Sequence, residues 1–240
     1  RVTRRFNIAK QRWVYGFCQK HPQLARRIIR KMNADLLPPD YPVDVHFNPP
    51  YGPWDQRLCL VPDADLFDSI KAGSASVVTD QIETFTRGGI KLKSGKALDA
   101  DVVVTATGLD LQVLGGLEIK VDGTPVDLSK TMNYKGLMYS GVPNLATSFG
   151  YVNASWTLRT DLICEYVCRL LNHMSSIGAV ECTPRLRPED AGMPARPWID
   201  GFTPNYMTRV MHRFPKQGDR EPWINPQRYQ HDRRMFRHSH

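Results

Sequence analysis

Arg57 closes the run Trp54-Asp55-Gln56-Arg57, between a proline-rich stretch and the apolar run LCLVP. A guanidinium there is a permanent cation with a rigid fork of donors, suited to a developing oxyanion. A plain ion pair with Asp55 or a later acid would explain the same residue. A second chemically pointed run is GYVNASW, residues 150–156. Gly150 permits close backbone approach. The first N–H groups of a helix starting near Ser155 could meet a carbonyl or anionic edge of a cofactor. Simple helix capping by Ser155 is the plainer alternative, and it also accounts for the Asn153-Ala154-Ser155 sequon. A third run is LDADVVVTATGL, residues 98–109, an apolar β-branched stretch ending in small residues and a glycine. Chains end strands this way where backbone passes close to a nucleotide.

No self-sufficient motif accompanies these runs. GxGxxG, a Walker loop, HExxH, a CxxC pair and GxSxG are all absent. The seven histidines are dispersed, and the terminal RHSH is too short to make a metal site. Five cysteines at irregular spacing form no disulfide framework. Cys164 and Cys168 share a helical face but lack a second pair, so they read as core residues, and no metal is expected. Cytoplasm is the expected compartment, with peripheral membrane attachment left open. No apolar run is long enough to span a bilayer.

The net charge of +8 is uneven, because residues 1–34 carry ten Lys or Arg and no acid. A basic module gripping nucleic acid or an anionic surface is one reading. Solvated helices whose aromatics (Phe6, Trp13, Tyr15, Phe17) form a packing stripe are the plainer one, and no nucleic acid is expected.

Several elements are needed to position the candidate residues. Residues 4–34 read as two helices broken near His21-Pro22, the second striped by Leu24, Ile28, Ile29 and Met32. Six prolines between Leu36 and Arg57 imply an irregular excursion. LCLVP then reads as a buried strand and 65–72 as a short helix. SVVTD, IETFT and IKLKS read as strands divided by RGG and SGK turns. Asp101–Thr105, apolar on both faces, predicts a central parallel strand buried between helices. Asp122-Gly123 signals a hairpin, and LMYSGVPNLATSFG reads as strand, turn, strand. From 156 to 176 the apolar spacing predicts an amphipathic helix with Ser155 at its N-cap and Gly178 just past its end. The Pro- and Arg-rich stretch beyond Glu181 reads as an extended tail over another surface.

NPPYGPWDQRLCLVPDADLF, LDADVVVTATGLDLQVLGG and YKGLMYSGVPNLATSFGYVNASWTLRTDLICEYVCRLLNHM together resemble flavin-containing Baeyer–Villiger monooxygenases. The resemblance runs from about residue 10 to 230. It implies an α/β fold, the C-terminal portion of a flavoprotein with two Rossmann-like dinucleotide-binding domains. Residues 1–50 would be a helical and irregular insert, 51–108 part of an NADPH domain, 109–180 part of an FAD domain, and 181–240 a tail. In that chemistry NADPH reduces FAD, O2 is taken up, and the resulting peroxide attacks a ketone or a sulfur-containing substrate. Arg57 falls at the family's active-site arginine, and Thr107, Gly108, Gly150, Asn153 and Ser155 fall among cofactor contacts. The family's two GxGxxG fingerprints and its FxGxxxH signature are missing, and the chain starts RVTRRFNIAK without a methionine. A C-terminal piece is therefore expected, dependent on its upstream half for both cofactors and inactive alone. A truncated relic that pairs with another chain is a further alternative.

Overall fold

The structure, a computed structural model, describes residues 2–59 and 61–238. Leu60 of the LCLVP run, and Ser239 and His240 of RHSH, lie outside the described residues. The chain divides into two compact units, Arg1–Leu109 and Asp110–His240.

The first unit opens with helices α1 (Val2–Lys20) and α2 (Pro22–Asp35). Pro22 sits at the start of α2, where its missing N–H costs nothing and its fixed φ suits a helix. The proline-rich excursion contains a short helix α3 (Val43–His46), and α4 (Asp65–Lys71) follows as expected. Leu37, Val43, Phe67 and Ile70 form the core, with Phe47 packed at 5.6 Å from Phe67. Strands β1 (Ile82–Thr86), β2 (Gly89–Leu92) and β3 (Ala97–Asp99) make an antiparallel meander, Phe85 opposite Ile90 and Ile90 opposite Leu98.

Three expected strands do not form. SVVTD is irregular, and the described part of LCLVP has no strand partner. The run Asp101–Thr105 is also unpaired, with Val102 78% and Val104 84% exposed. A strand exists only through hydrogen bonds to a neighbour, and no neighbour stands beside this run among the described residues. The result is a mixed helix-and-sheet protein whose named strands all pair antiparallel.

In the second unit, β4 (Lys120–Val121) and β5 (Thr124–Pro125) form the expected hairpin. Asp122 and Gly123 both take positive φ, as a tight hairpin turn requires. LMYSGVPNLATSFG supplies only β7 (Met138–Tyr139), which pairs with β6 (Asn133–Tyr134); its second half makes no strand. Helix α5 (Trp156–Ser176) stands where the spacing placed it, and Gly178 (φ 68) ends it. Leu162, Ile163 and Tyr166 of α5 pack on Leu137, Met138, Met235 and Phe236.

The region beyond Glu181 is more than an extended cover. It contains α6 (Asn205–Thr208) and α7 (Tyr229–His238), and it supplies core residues of its own. Trp198, Phe202, Met207 and Phe214 cluster there with Phe149 and Val152. Scattered aromatics without periodicity hide such a core, because their partners lie far along the chain.

Candidate active site

In the first unit, Arg57 ends a tight loop. The N–H of Gly52 donates to Asp55 Oδ2 at 2.8 Å, so that carboxylate serves the loop's own turn. Trp54 takes a left-handed φ of 72°, a conformation costing a non-glycine residue about 1 kcal/mol. Its indole meets the Tyr15 ring of α1 edge to face at 5.6 Å, which holds the loop to the helix. Arg57 is exposed and makes no ion pair among the described residues. The alternative in which it simply neutralises Asp55 is therefore not what the structure contains. An exposed, unpaired guanidinium on an anchored loop is available to an anion.

Thr107 and Gly108 lie exposed on the irregular run after Val104, and Gly108 adopts φ 107°, which favours glycine. They do not end a strand here, for the reason given above.

In the second unit, Gly150 is buried, and a side chain there would fall inside Trp156. Its missing Cβ is used by that close approach. The ring of Trp156 packs on Phe149 at 4.8 Å, and Phe149 packs on Trp198 at 4.6 Å. Ser155 occupies the N-cap position of α5, but its hydroxyl turns to Thr157 Oγ1 at 2.9 Å and does not cap. Ser155 thus gives the first-turn N–H groups of α5 no side-chain acceptor, and the N–H of Leu158 donates to the Ser155 carbonyl at 3.2 Å. Asn153 is half-buried in the same turn. The N–H of Val152 donates to Gln227 Oε1 at 3.0 Å, so the C-terminal region fixes this segment.

A flavin or nicotinamide dinucleotide needs two kinds of contact. An exposed helix N-terminus at Ser155–Thr157 suits the carbonyl edge of a flavin, as glycine-lined backbone at Gly108 suits close approach of a nucleotide. A glycine-rich phosphate turn between strand and helix is missing among the described residues, so pyrophosphate finds no cradle in them. The residues present fit part of each group.

Two buried polar centres escape the sequence reading. Arg159 of α5 and Asp232 of α7 pair in the interior beside Tyr151. Lys135, fully buried, sits 4.3 Å from the centroid of the Tyr166 ring and 5.3 Å from that of Tyr134. Desolvation lowers the Lys135 ammonium to about 8, reinforced by Arg169. A signal for the first was available: Arg159 interrupts the apolar face of Leu158, Leu162, Ile163 and Tyr166. A cavity of about 440 Å³ lies nearby, lined by Tyr134, Tyr166, Arg185, Arg187, Glu221 and Trp223 among others. None of the sequence-predicted site residues lines it.

The chain is similar over nearly all of its length to proteins named as FAD-containing or FAD-binding monooxygenases. The chain is 48% identical over 231 residues to "FAD-containing monooxygenase EthA" of Mycobacterium tuberculosis, a match covering 96% of this chain and 47% of that protein. It is 46% identical over 240 residues to "Probable FAD-binding monooxygenase AlmA" of Acinetobacter baylyi, covering 100% of the chain and 47% of the relative. It is 44% identical over 242 residues to "Putative FAD-containing monooxygenase MymA" of Mycobacterium tuberculosis, covering 97% and 46%. This chain is a relative of the FAD-containing monooxygenases, matched over nearly all of its own length. Within that class the similarity extends to EthA, AlmA and MymA alike. The chain spans about half the length of the curated relatives it matches. No family model and no solved structure matches it.

Proposed function

We propose that this chain is the C-terminal half of an FAD- and NADPH-dependent monooxygenase of the Baeyer–Villiger type. The whole protein would insert one atom of O2 beside a ketone carbonyl and oxygenate sulfides or thioamides. The observation that carries this reading is the 48% identity, across 96% of the chain, to proteins named as FAD-containing monooxygenases. When bound, FAD supplies oxygen activation and NADPH supplies the hydride.

The role of this chain's residues follows from their chemistry. Arg57 presents a fixed positive charge to the oxyanion that develops at the substrate carbonyl and to the phosphate or amide of the nicotinamide cofactor. Thr107 and Gly108 offer backbone and a hydroxyl to NADPH. Gly150, Asn153 and Ser155 surround the start of α5, whose exposed N-terminus would face the flavin's carbonyl edge. The pyrophosphates would be held by the upstream half, which would also cover Val102 and Val104. Residues 51–108 would then complete an NADPH domain and 109–180 an FAD domain, with Rossmann-type parallel sheets restored.

The test is Arg57→Ala in the full-length protein. Reduction of bound flavin by NADPH is expected to persist, while ketone oxygenation falls by roughly a hundredfold or more. Normal product formation in that variant would remove Arg57 from the chemistry. Desalting this chain after incubation with FAD gives the companion test: a colourless protein is expected, and retained flavin bands would contradict the need for an upstream half.

A further inference from the structure

Helix α1 carries a stripe of apolar side chains that nothing in its own unit covers. Val2, Phe6, Ala9 and Trp13 follow one another at spacings of four, three and four, which places them on one face of a 3.6-residue helix. Val2 is 83% exposed, Phe6 64% and Trp13 69%. Trp13 stacks on Phe17 one turn further on, with ring centroids 5.7 Å apart and planes 15° from parallel. The opposite face, around Cys18, is the one turned inward. Of the α1 aromatics, Tyr15 packs on Trp54, whereas Phe6 and Trp13 stay exposed.

Charge borders this stripe on both sides. Lys10 lies on one flank and Arg5 and Arg12 on the other, each within about 90° of the stripe's centre on the helical wheel. None of these three has an acidic partner among the described residues. Acidic side chains do not occur anywhere in residues 1–34. No helix among the described residues is long and apolar enough to cross a membrane, so the stripe is not part of a span.

We propose that the outward face of α1 docks on an anionic lipid surface, lying in the plane of the headgroups. Phe6 and Trp13 would enter the boundary between headgroups and acyl chains, where an aromatic ring is favoured. Arg5, Lys10 and Arg12 would meet lipid phosphates. A protein partner covering this face would have to answer three cations bordering four apolar residues with acids of its own; a leaflet rich in anionic lipid does so by composition. The proposal is independent of the oxygenation chemistry, since it uses none of the residues assigned to it.

The experiment is co-sedimentation of the full-length protein with vesicles of phosphatidylglycerol mixed into phosphatidylcholine, and with pure phosphatidylcholine vesicles. Binding to the anionic vesicles that weakens as salt rises, with none to the neutral ones, is expected. Arg5→Glu/Lys10→Glu/Arg12→Glu is expected to weaken binding by roughly a hundredfold, at about fivefold per cation before reversal adds to it. Phe6→Ser/Trp13→Ser is expected to weaken it about tenfold or more. Both variants change exposed side chains, so the melting temperature is expected to hold. Failure of the full-length protein to bind, or binding that both variants leave unchanged, would overturn the proposal. Preference for an oligonucleotide duplex over the vesicles would assign the face to nucleic acid and overturn it equally.

Discussion

Arg159 Nε lies 3.2 Å from Asp232 Oδ2, with both side chains wholly removed from solvent. The pair joins α5 to α7, two helices separated by more than fifty residues of chain that include α6. The guanidinium also faces the Tyr151 ring at 5.6 Å. Gly136 (φ 74) makes room for it, because a side chain at that position would occupy the guanidinium's place. Burial pushes the Asp232 carboxyl up, and Arg159 pulls against that rise. Burial, then the Asp232 charge, push the Tyr151 hydroxyl up as well.

Breaking this pair from one side strands a charge in the interior. Arg159→Met is expected to destabilise the protein by about 3–5 kcal/mol, whereas Arg159→Met/Asp232→Leu recovers most of that loss. Urea unfolding of the three proteins checks it. Equal losses in the single and double variants would show that the pair, and not the stranded charge, carries the stability.

Lys135 predicts a pH dependence whose sign is set by its lowered pKa. Its folded value, about 8, lies below the ordinary lysine value of 10.5. The cost of burying the ammonium is fully present below pH 8 and is relieved as pH rises from 8 to 10.5. Across that window this residue's contribution to stability improves by up to roughly 3 kcal/mol. Unfolding midpoints of wild type and Lys135→Met, taken from pH 7 to 10.5, are expected to converge as pH rises. Parallel curves would refute the assignment.

Gly150 is expected to tolerate no side chain. Gly150→Ala forces its methyl into Trp156 and costs about 1–3 kcal/mol through overpacking. The displaced ring is expected to alter the near-ultraviolet circular dichroism, since Trp156 packs on Phe149 and Phe149 on Trp198. An unchanged spectrum with unchanged stability would mean that the segment moves freely.

Arg57 is expected to separate stability from activity. Its exposed side chain makes no ion pair among the described residues, so Arg57→Ala changes stability by less than about 0.5 kcal/mol. Arg57→Lys keeps the charge but loses the planar fork, and its oxygenation rate is expected to fall between those of Ala and wild type. A lysine variant as slow as alanine would assign the work to bidentate geometry, and one as fast as wild type would assign it to charge alone.

Val104 tests whether a sheet is completed by chain outside this one. Val104→Asp is expected to leave the unfolding of this chain unchanged, because the side chain is already in water. In the full-length protein the same substitution is expected to cost about 2 kcal/mol or more, as a buried unpaired charge. Equal tolerance in both contexts would contradict the proposed strand.

The sequence by itself determined the elements whose signals are local. Pro22 divides α1 from α2, Asp122-Gly123 turns the β4–β5 hairpin, and the apolar spacing after Ser155 marks α5 through to Gly178. It also carried the family relationship and singled out the Arg57 loop as chemically unusual. Tertiary structure decided the rest. The run Asp101–Thr105 has the side chains of a buried strand, but a strand needs a neighbour's backbone, and none is beside it among the described residues. The core of Trp198, Phe202 and Phe214, the pairing of Arg159 with Asp232, and the use of Gly150 by Trp156 depend on residues brought together across long stretches of chain. Periodicity records which face of an element is apolar, but only packing decides what that face meets.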